Sequence, residues 1–147
     1  MTAVQWNLDP REEEFVRTLL EAPYPCCLTS LDEDGRPYAV VVWCALDGNR
    51  FTVNAAEGLW LRNLRRDPRA SLVIVDTGNI LRHVSVQGRV VSIEPDPDYA
   101  HIDSLSQAYE GRRYQYSRPE NVPRFRLVVE PDRIRTLDLA PPEGEVR

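Results

Sequence analysis

The residues best placed to do chemistry lie in one stretch from Ala55 to Asp76, A-A-E-G-L-W-L-R-N-L-R-R-D-P-R-A-S-L-V-I-V-D. Arg62, Arg65, Arg66 and Arg69 crowd a short helical turn, with Asn63 among them. Guanidinium groups beside the N–H groups of a helix start can hold an anion such as a phosphate. The same arginines can equally form a solvated helix face. Leu59, Leu61 and Leu64 supply the apolar contacts of this turn. Pro68 ends it and pushes Asp67 out of the helical region. The run Ala70 to Val75 is apolar and β-branched, as expected of a strand buried on both faces.

Elsewhere the chain offers little chemistry of its own. Ser71, Ser85 and Ser92 lie on expected strands with no G-x-S-x-G setting. The glycines are too few and too scattered for a P-loop or a dinucleotide fingerprint. All 18 basic residues are arginine, so there is no lysine for a Schiff base or for general-base work. His83 and His101 read as surface or packing residues. Cys26, Cys27 and Cys44 contain no C-x-x-C and form no ligand set with the histidines. They read as reduced thiols, with no metal site expected. No catalytic side chain is identified. An enzyme with so few acids, bases and nucleophiles in place borrows its chemistry from a cofactor.

The elements that must position such a site can be read in order. Asp9-Pro10-Arg11-Glu12 opens a helix with a cap, a proline at the first helical position and a capping-box acid. Phe15, Val16, Leu19 and Leu20 give it one apolar face, and Pro23 and Pro25 stop it, so residues 1–24 form an N-terminal helical segment. Cys26 to Leu31, Tyr38 to Leu46 and Phe51 to Asn54 read as a three-stranded antiparallel meander, turning at D-E-D-G-R-P and D-G-N. After the basic helix and its strand, Arg82 to Ile93 is a long strand in which Gly88 marks a bulge or bend. Asp96-Pro97-Asp98 leads into a helix over Tyr99 to Tyr109. Glu110 to Pro123 is polar, holds Arg112, Arg113, Tyr114, Tyr116 and Arg118, and reads as a loop or lid. Phe125 to Val129 and Ile134 to Leu137 are the last strands, and residues 138–147 a loose tail.

This count gives a mainly β architecture: an antiparallel β-barrel with peripheral helices, in one domain spanning residues 1–147. The net charge of -5 argues against nucleic acid as a partner. No apolar run approaches the ~20 residues of a membrane span. The N-terminus lacks a basic region followed by an apolar core, so the cytoplasm is the expected location.

From Cys26 to Leu137 the sequence resembles the flavin and deazaflavin oxidoreductases of the pyridoxamine-5'-phosphate-oxidase-like, FMN-binding split-barrel superfamily. It is most similar to the actinobacterial branch that depends on coenzyme F420. The resemblance is carried by L-T-S-L-D-E-D-G-R-P at Leu28 to Pro37 and R-N-L-R-R-D-P-R-A-S at Arg62 to Ser71. V-S-V-Q-G-R-V-V-S-I at Val84 to Ile93 and H-I-D-S-L at His101 to Leu105 add to it. It implies a six-stranded antiparallel split β-barrel that works as a homodimer. It also implies coenzyme F420, or alternatively FMN, held in a groove at the dimer interface, and hydride exchange with a small organic substrate.

By the same resemblance, Val53, Asn54 and Ala55 would run along the cofactor, and Arg62 and Asn63 would match the family's block, with Arg36 of the first turn able to contribute. Trp60 and Leu61 stand where similar sequences place a basic residue and a small hydroxyl residue for the phosphate. Losing one such contact costs about 1.5–3 kcal/mol. Trp60 could stack on a planar ligand, block the groove, or pack into the barrel or dimer seam. A non-catalytic split barrel binding a flavin, a haem or another tetrapyrrole is therefore the alternative function. Trp43, Val41 and the strand Val84 to Val90 are the expected dimer seam.

Overall fold

The computed structural model describes residues 4–116 and 122–140. Helix α1 (Pro10–Glu21) begins as its sequence dictates. The Asp9 carboxylate accepts from Glu12 N at 2.8 Å, and Glu12 Oε1 accepts from Asp9 N at 3.2 Å, closing the capping box. Its buried side chains are Phe15, Val16, Leu19 and Leu20. They pack against a core that includes Cys26, Leu28, Phe51, Leu61, Leu72 and Leu127.

The strands are β1 (Cys26–Leu31), β2 (Pro37–Val42), β3 (Ala45–Asp47), β4 (Arg50–Ala56), β5 (Arg69–Val75), β6 (Arg82–Pro95) and β7 (Arg124–Asp138). All neighbours are antiparallel, in the order β2-β1-β5-β6-β7-β4-β3. The expected six-stranded barrel is thus corrected to seven strands in one sheet that does not close. The expected meander is corrected as well. The run Tyr38 to Leu46 breaks at Trp43 and Cys44. Its first half pairs with β1 and its second with β4, at opposite edges of the sheet.

The last two expected strands are one, β7, running through Glu130-Pro131-Asp132. A register shift at Gln87/Gly88 makes this possible, because Pro131 lies opposite Gly88, where the ladder is already irregular. A Cβ on Gly88 would stand 2.3 Å from the Glu130 carbonyl oxygen, so only glycine admits that approach.

Helix α2 (Leu59–Arg66) stops one residue before Asp67 and Pro68. It packs on β1 through Leu61 and Leu64, while Leu59, expected to be apolar support, is 42% exposed. Helix α3 (Ala100–Glu110) follows a tight turn in which Tyr99 takes a left-handed φ of 60° and Asp96 accepts from the N–H groups of His101 and Ile102, each at 3.0 Å. Cys26 and Cys44 are buried, Cys27 is half-buried, and all three are free thiols. Arg118 and residues 141–147 of the tail lie outside the described residues.

Candidate functional site

The end of β2, the end of β4, the start of α2, α3 and the start of β7 surround a cavity of about 390 Å³. That volume lies within the range of small-molecule sites. Val41, Val42, Ile102 and Leu105 supply apolar wall. Trp43, Trp60, Tyr114 and Tyr116 supply aromatic wall, and Asn54, Glu57, Gly58 and Arg124 the polar edge.

Trp43 sits where the sequence breaks β2 from β3. Its ring stacks on Tyr109 at 5.4 Å, and it meets Tyr114 and Tyr116 edge-on at 6.1 and 6.4 Å. The Tyr109 hydroxyl donates to the Tyr24 carbonyl at 2.7 Å and accepts from Cys44 N at 3.0 Å, and burial raises its pKa. The Trp43–Tyr109 stack is therefore anchored to both the end of α1 and the β2–β3 break. Beneath it, the Cys26 thiol is held well above its usual pKa by the neighbouring Cys44 thiol and by burial.

The polar edge is one connected network. Asn54 is buried. Its amide nitrogen donates to Asp96 Oδ2 at 3.1 Å and lies 2.9 Å from His101 Nδ1, while its oxygen accepts from Arg124 Nε at 2.7 Å. His101 Nδ1 must therefore accept, which leaves the proton on Nε2. That atom is buried and has no partner among the described residues. Burial, with Arg126 nearby, lowers the His101 pKa to about 4, against the opposing pull of Asp96 and Asp47. The ring is neutral at physiological pH.

Of the residues expected at a cofactor, Asn54 and Trp60 line this cavity. Val53, Ala55 and Leu61 are wholly buried in the core. Asn63 is buried too. Its amide nitrogen donates to Ser30 Oγ at 3.1 Å and Asp32 Oδ1 at 2.9 Å, so it ties α2 to the end of β1. Arg62 is exposed, with no side-chain bond among the described residues, and lies outside the lining. Arg36 lies in the β1–β2 turn, exposed and paired with Asp34 at 3.2 Å. The other arginines of the basic stretch are engaged: Arg65 with Glu57, Arg66 with the Leu31 carbonyl and Asn63, Arg69 with Asp67.

Trp43, Tyr114, Tyr116 and Arg124 were not expected at the site. The sequence places Trp43 at an expected dimer seam and the tyrosines in an expected loop or lid. The run of aromatics between 109 and 116 was the available signal; nothing in the sequence singled out Arg124. Val84 and Val86, also assigned to a seam, are buried in the core, and Val41 is 74% exposed on β2.

The cavity suits a planar conjugated ring. Its walls are apolar and aromatic, and the first turn of α2 has no side-chain cap at Gly58, leaving N–H groups at the rim. From α2 it receives no cation, since Trp60 and Leu61 occupy that turn.

The model of the pyridoxamine 5'-phosphate oxidase family matches residues 12–138. Among curated proteins none matches. Several solved structures share the fold. An F420 reductase is 28% identical with a TM-score of 0.74, covering 81% of this chain and 94% of its own. The conserved hypothetical protein Rv2991 of Mycobacterium tuberculosis is 22% identical with a TM-score of 0.72, covering 99% and 98%. General Stress Protein 26 of Bacillus anthracis is 15% identical with a TM-score of 0.67, covering 88% and 96%.

Proposed function

The chain belongs to the pyridoxamine 5'-phosphate oxidase family, and from that premise we propose that it is an oxidoreductase that holds coenzyme F420, or alternatively FMN, in the aromatic cavity and acts on a small organic substrate. The observation that carries this reading is the convergence of the β2 end, the β4 end and the α2 start on one cavity with aromatic walls. The similarity to an F420 reductase favours the deazaflavin over FMN.

A bound deazaflavin or flavin supplies the hydride chemistry. The residues of the chain bind and orient it. Trp43, Tyr114 and Tyr116 offer ring faces and edges, Val41, Val42 and Ile102 exclude water, and the Asn54–Arg124 pair fixes the polar edge. Val53, Ala55, Leu61 and Asn63 act behind this wall, by holding β4 and α2 in place. Arg62 and Arg36 stand further out, where exposed guanidinium groups attract an anionic cofactor tail.

A homodimer in the cytoplasm completes the reading. Val41 on the open edge strand offers an apolar contact for a second copy, and three unpaired cysteines fit a reducing compartment. No helix among the described residues is long and apolar enough to cross a membrane.

The test is a titration with F420, FMN and FAD read by quenching of tryptophan fluorescence, since Trp43 and Trp60 line the cavity. Saturable quenching by F420 or FMN, followed by turnover of the reduced cofactor, is expected. One observation favours a second reading: the α2 turn presents Trp60 and Leu61 and no cation to the cavity. Quenching by haem or another tetrapyrrole, and by neither F420 nor FMN, would replace the enzyme with a non-catalytic binder of planar ligands.

A further inference from the structure

Trp43 lines the cavity from a stretch of backbone that the sheet does not hold. β2 ends at Val42 and β3 begins at Ala45, so Trp43 and Cys44 belong to no ladder while the chain crosses from one edge of the sheet to the other. Cys44 is buried, and a buried N–H outside a ladder must find another partner. It finds the Tyr109 hydroxyl, to which it donates at 3.0 Å. That hydroxyl in turn donates to the Tyr24 carbonyl at 2.7 Å, with the Cys44 carbonyl at 3.3 Å as a longer second acceptor. One side chain of α3 thus ties the crossing to the connection between α1 and β1.

The same side chain carries the indole. The Tyr109 ring stacks on Trp43 with centres 5.4 Å apart and planes 21° apart. Tyr114 and Tyr116 also meet Trp43, but both line the cavity with it, while Tyr109 lies outside the lining. Tyr109 is itself fixed in the last turn of α3. Gly111 closes that turn with a left-handed φ of 72°, and its N–H donates to the Gln107 carbonyl at 3.0 Å. Burial raises the Tyr109 pKa, so the hydroxyl keeps its proton and its donor role. Ring and hydroxyl together hold the indole and the backbone beside it before any ligand arrives. A wall fixed in advance spares a ligand the entropy of ordering it.

We propose that Trp43 is the platform against which a planar ligand of this cavity lies, and that Tyr109 is its positioning residue, acting through Trp43 without touching the ligand. The inference deepens the cofactor reading, and rests on it only in taking this cavity as the ligand site. The Tyr109 hydroxyl is the decisive group, since it joins the ring stack to the crossing between β2 and β3.

The experiment uses a neutral planar dye, N-phenyl-1-naphthylamine. It is titrated by fluorescence into the parent protein and into Tyr109→Phe, which keeps the ring and removes the hydroxyl. Both proteins are also prepared with 5-fluorotryptophan, and the 19F resonances are assigned by replacing Trp6, Trp43 and Trp60 in turn by phenylalanine. The Trp43 resonance of the ligand-free parent should be single and narrow, and the dye should bind and shift it. Tyr109→Phe should weaken the dye about fivefold, the scale of ordering one side chain on binding. Its Trp43 resonance should broaden or split, while that of Trp6 stays as in the parent. A role in stability alone would leave the Trp43 line of the folded variant narrow. The proposal is overturned if the parent fails to bind the dye, or binds it without moving the Trp43 line. It is overturned equally if the affinity is unchanged in Tyr109→Phe, or falls while the Trp43 line stays narrow. Should Tyr109→Phe fail to fold, Trp43→Leu and the ligand-free parent carry the test. A dye weakened at least fivefold in Trp43→Leu, with a single narrow Trp43 line in the parent, upholds the proposal; an unchanged affinity or a broad line overturns it.

F420 and FMN titrated into the same two proteins separate this role from the cofactor reading. Loss of affinity in Tyr109→Phe for cofactor and dye alike supports both. Cofactor binding that is indifferent to Tyr109 overturns the proposal, because the platform then does not serve the ligand of the cavity. If the dye depends on Tyr109 while neither F420 nor FMN binds, the cofactor reading fails and the role of Tyr109 stands.

Discussion

Asn54 and Arg124, seventy residues apart in the chain, meet at 2.7 Å on the wall of the cavity, where the end of β4 lies beside the start of β7. Asn54 is the hub of that wall. It pairs with Arg124, Asp96 and His101 at once, joining β4, β7 and the start of α3. A buried amide with all these partners costs more to lose than an ordinary hydrogen bond, because each partner is left unpaired. Asn54→Ala should therefore destabilise the fold by about 2–3 kcal/mol. Urea unfolding measures this. A loss below about 0.5 kcal/mol, the range of surface substitutions, would show that the network is dispensable.

Gly88 tests the bend in β6. An added Cβ would meet backbone, the Glu130 carbonyl at 2.3 Å and Pro131 Cα at 3.1 Å, and neither can rotate away. Gly88→Ala should cost about 1–3 kcal/mol, the range of an overpacked site, despite the usual gain in β-region preference from alanine. An unchanged denaturation midpoint would mean that β7 shifts freely at Pro131.

Much of this architecture is legible from residue types. The capping box of α1, the stop at Pro68 and the irregularity at Gly88 follow from local rules, and each is in place. What local rules miss is which strands become neighbours. Nothing in Tyr38 to Leu46 says that its halves serve opposite edges of the sheet. Pro131 reads as a strand break because it lacks an N–H, yet it falls at one of the two places where the β6 ladder is already irregular. The site follows the same pattern. Asn54 and Trp60, singled out because they lie beside a recognisable block, line the cavity. Arg124 is one of 18 arginines, and its contacts with Asn54 and Tyr114 come from the fold and not from any local pattern.

His101 sets a pH dependence. Its folded pKa of about 4 lies below the ordinary 6.5, so between those values the unfolded chain binds a proton that the folded chain does not. Stability from this group is present above pH 6.5 and is lost as pH falls toward 4. His101→Gln should flatten that part of the stability profile. Parallel profiles for the parent and the variant between pH 6.5 and 4 would show that His101 is not the group that titrates.

Val41 reports on the dimer. It is 74% exposed on β2, an edge strand that has β1 on one side only. An apolar side chain so placed gains most from a second copy of the chain. The parent should sediment as a dimer at micromolar concentration, and Val41→Glu should shift it toward monomer while leaving its melting temperature within a few degrees at low concentration. A monomeric parent would count against the homodimer.

Trp60 is where the chain departs from the sequences it resembles, and its half-buried indole both lines the cavity and packs on the core. Trp60→Lys places a flexible cation on the α2 side, facing the wall that carries Arg124. If that side has merely lost a phosphate contact, FMN should bind about tenfold more tightly while riboflavin, which lacks the phosphate, is unchanged. Removal of the indole from the core should also lower the melting temperature, so affinity and stability are read separately. If Trp60 instead stacks on the ring, FMN and riboflavin should weaken together, because both lose the same aromatic face. If it is packing alone, both affinities stay flat and only the melting temperature falls. The selective gain for FMN is the expected result. The aromatic walls and the uncapped start of α2 are already in place, so a single added cation is expected to supply the contact.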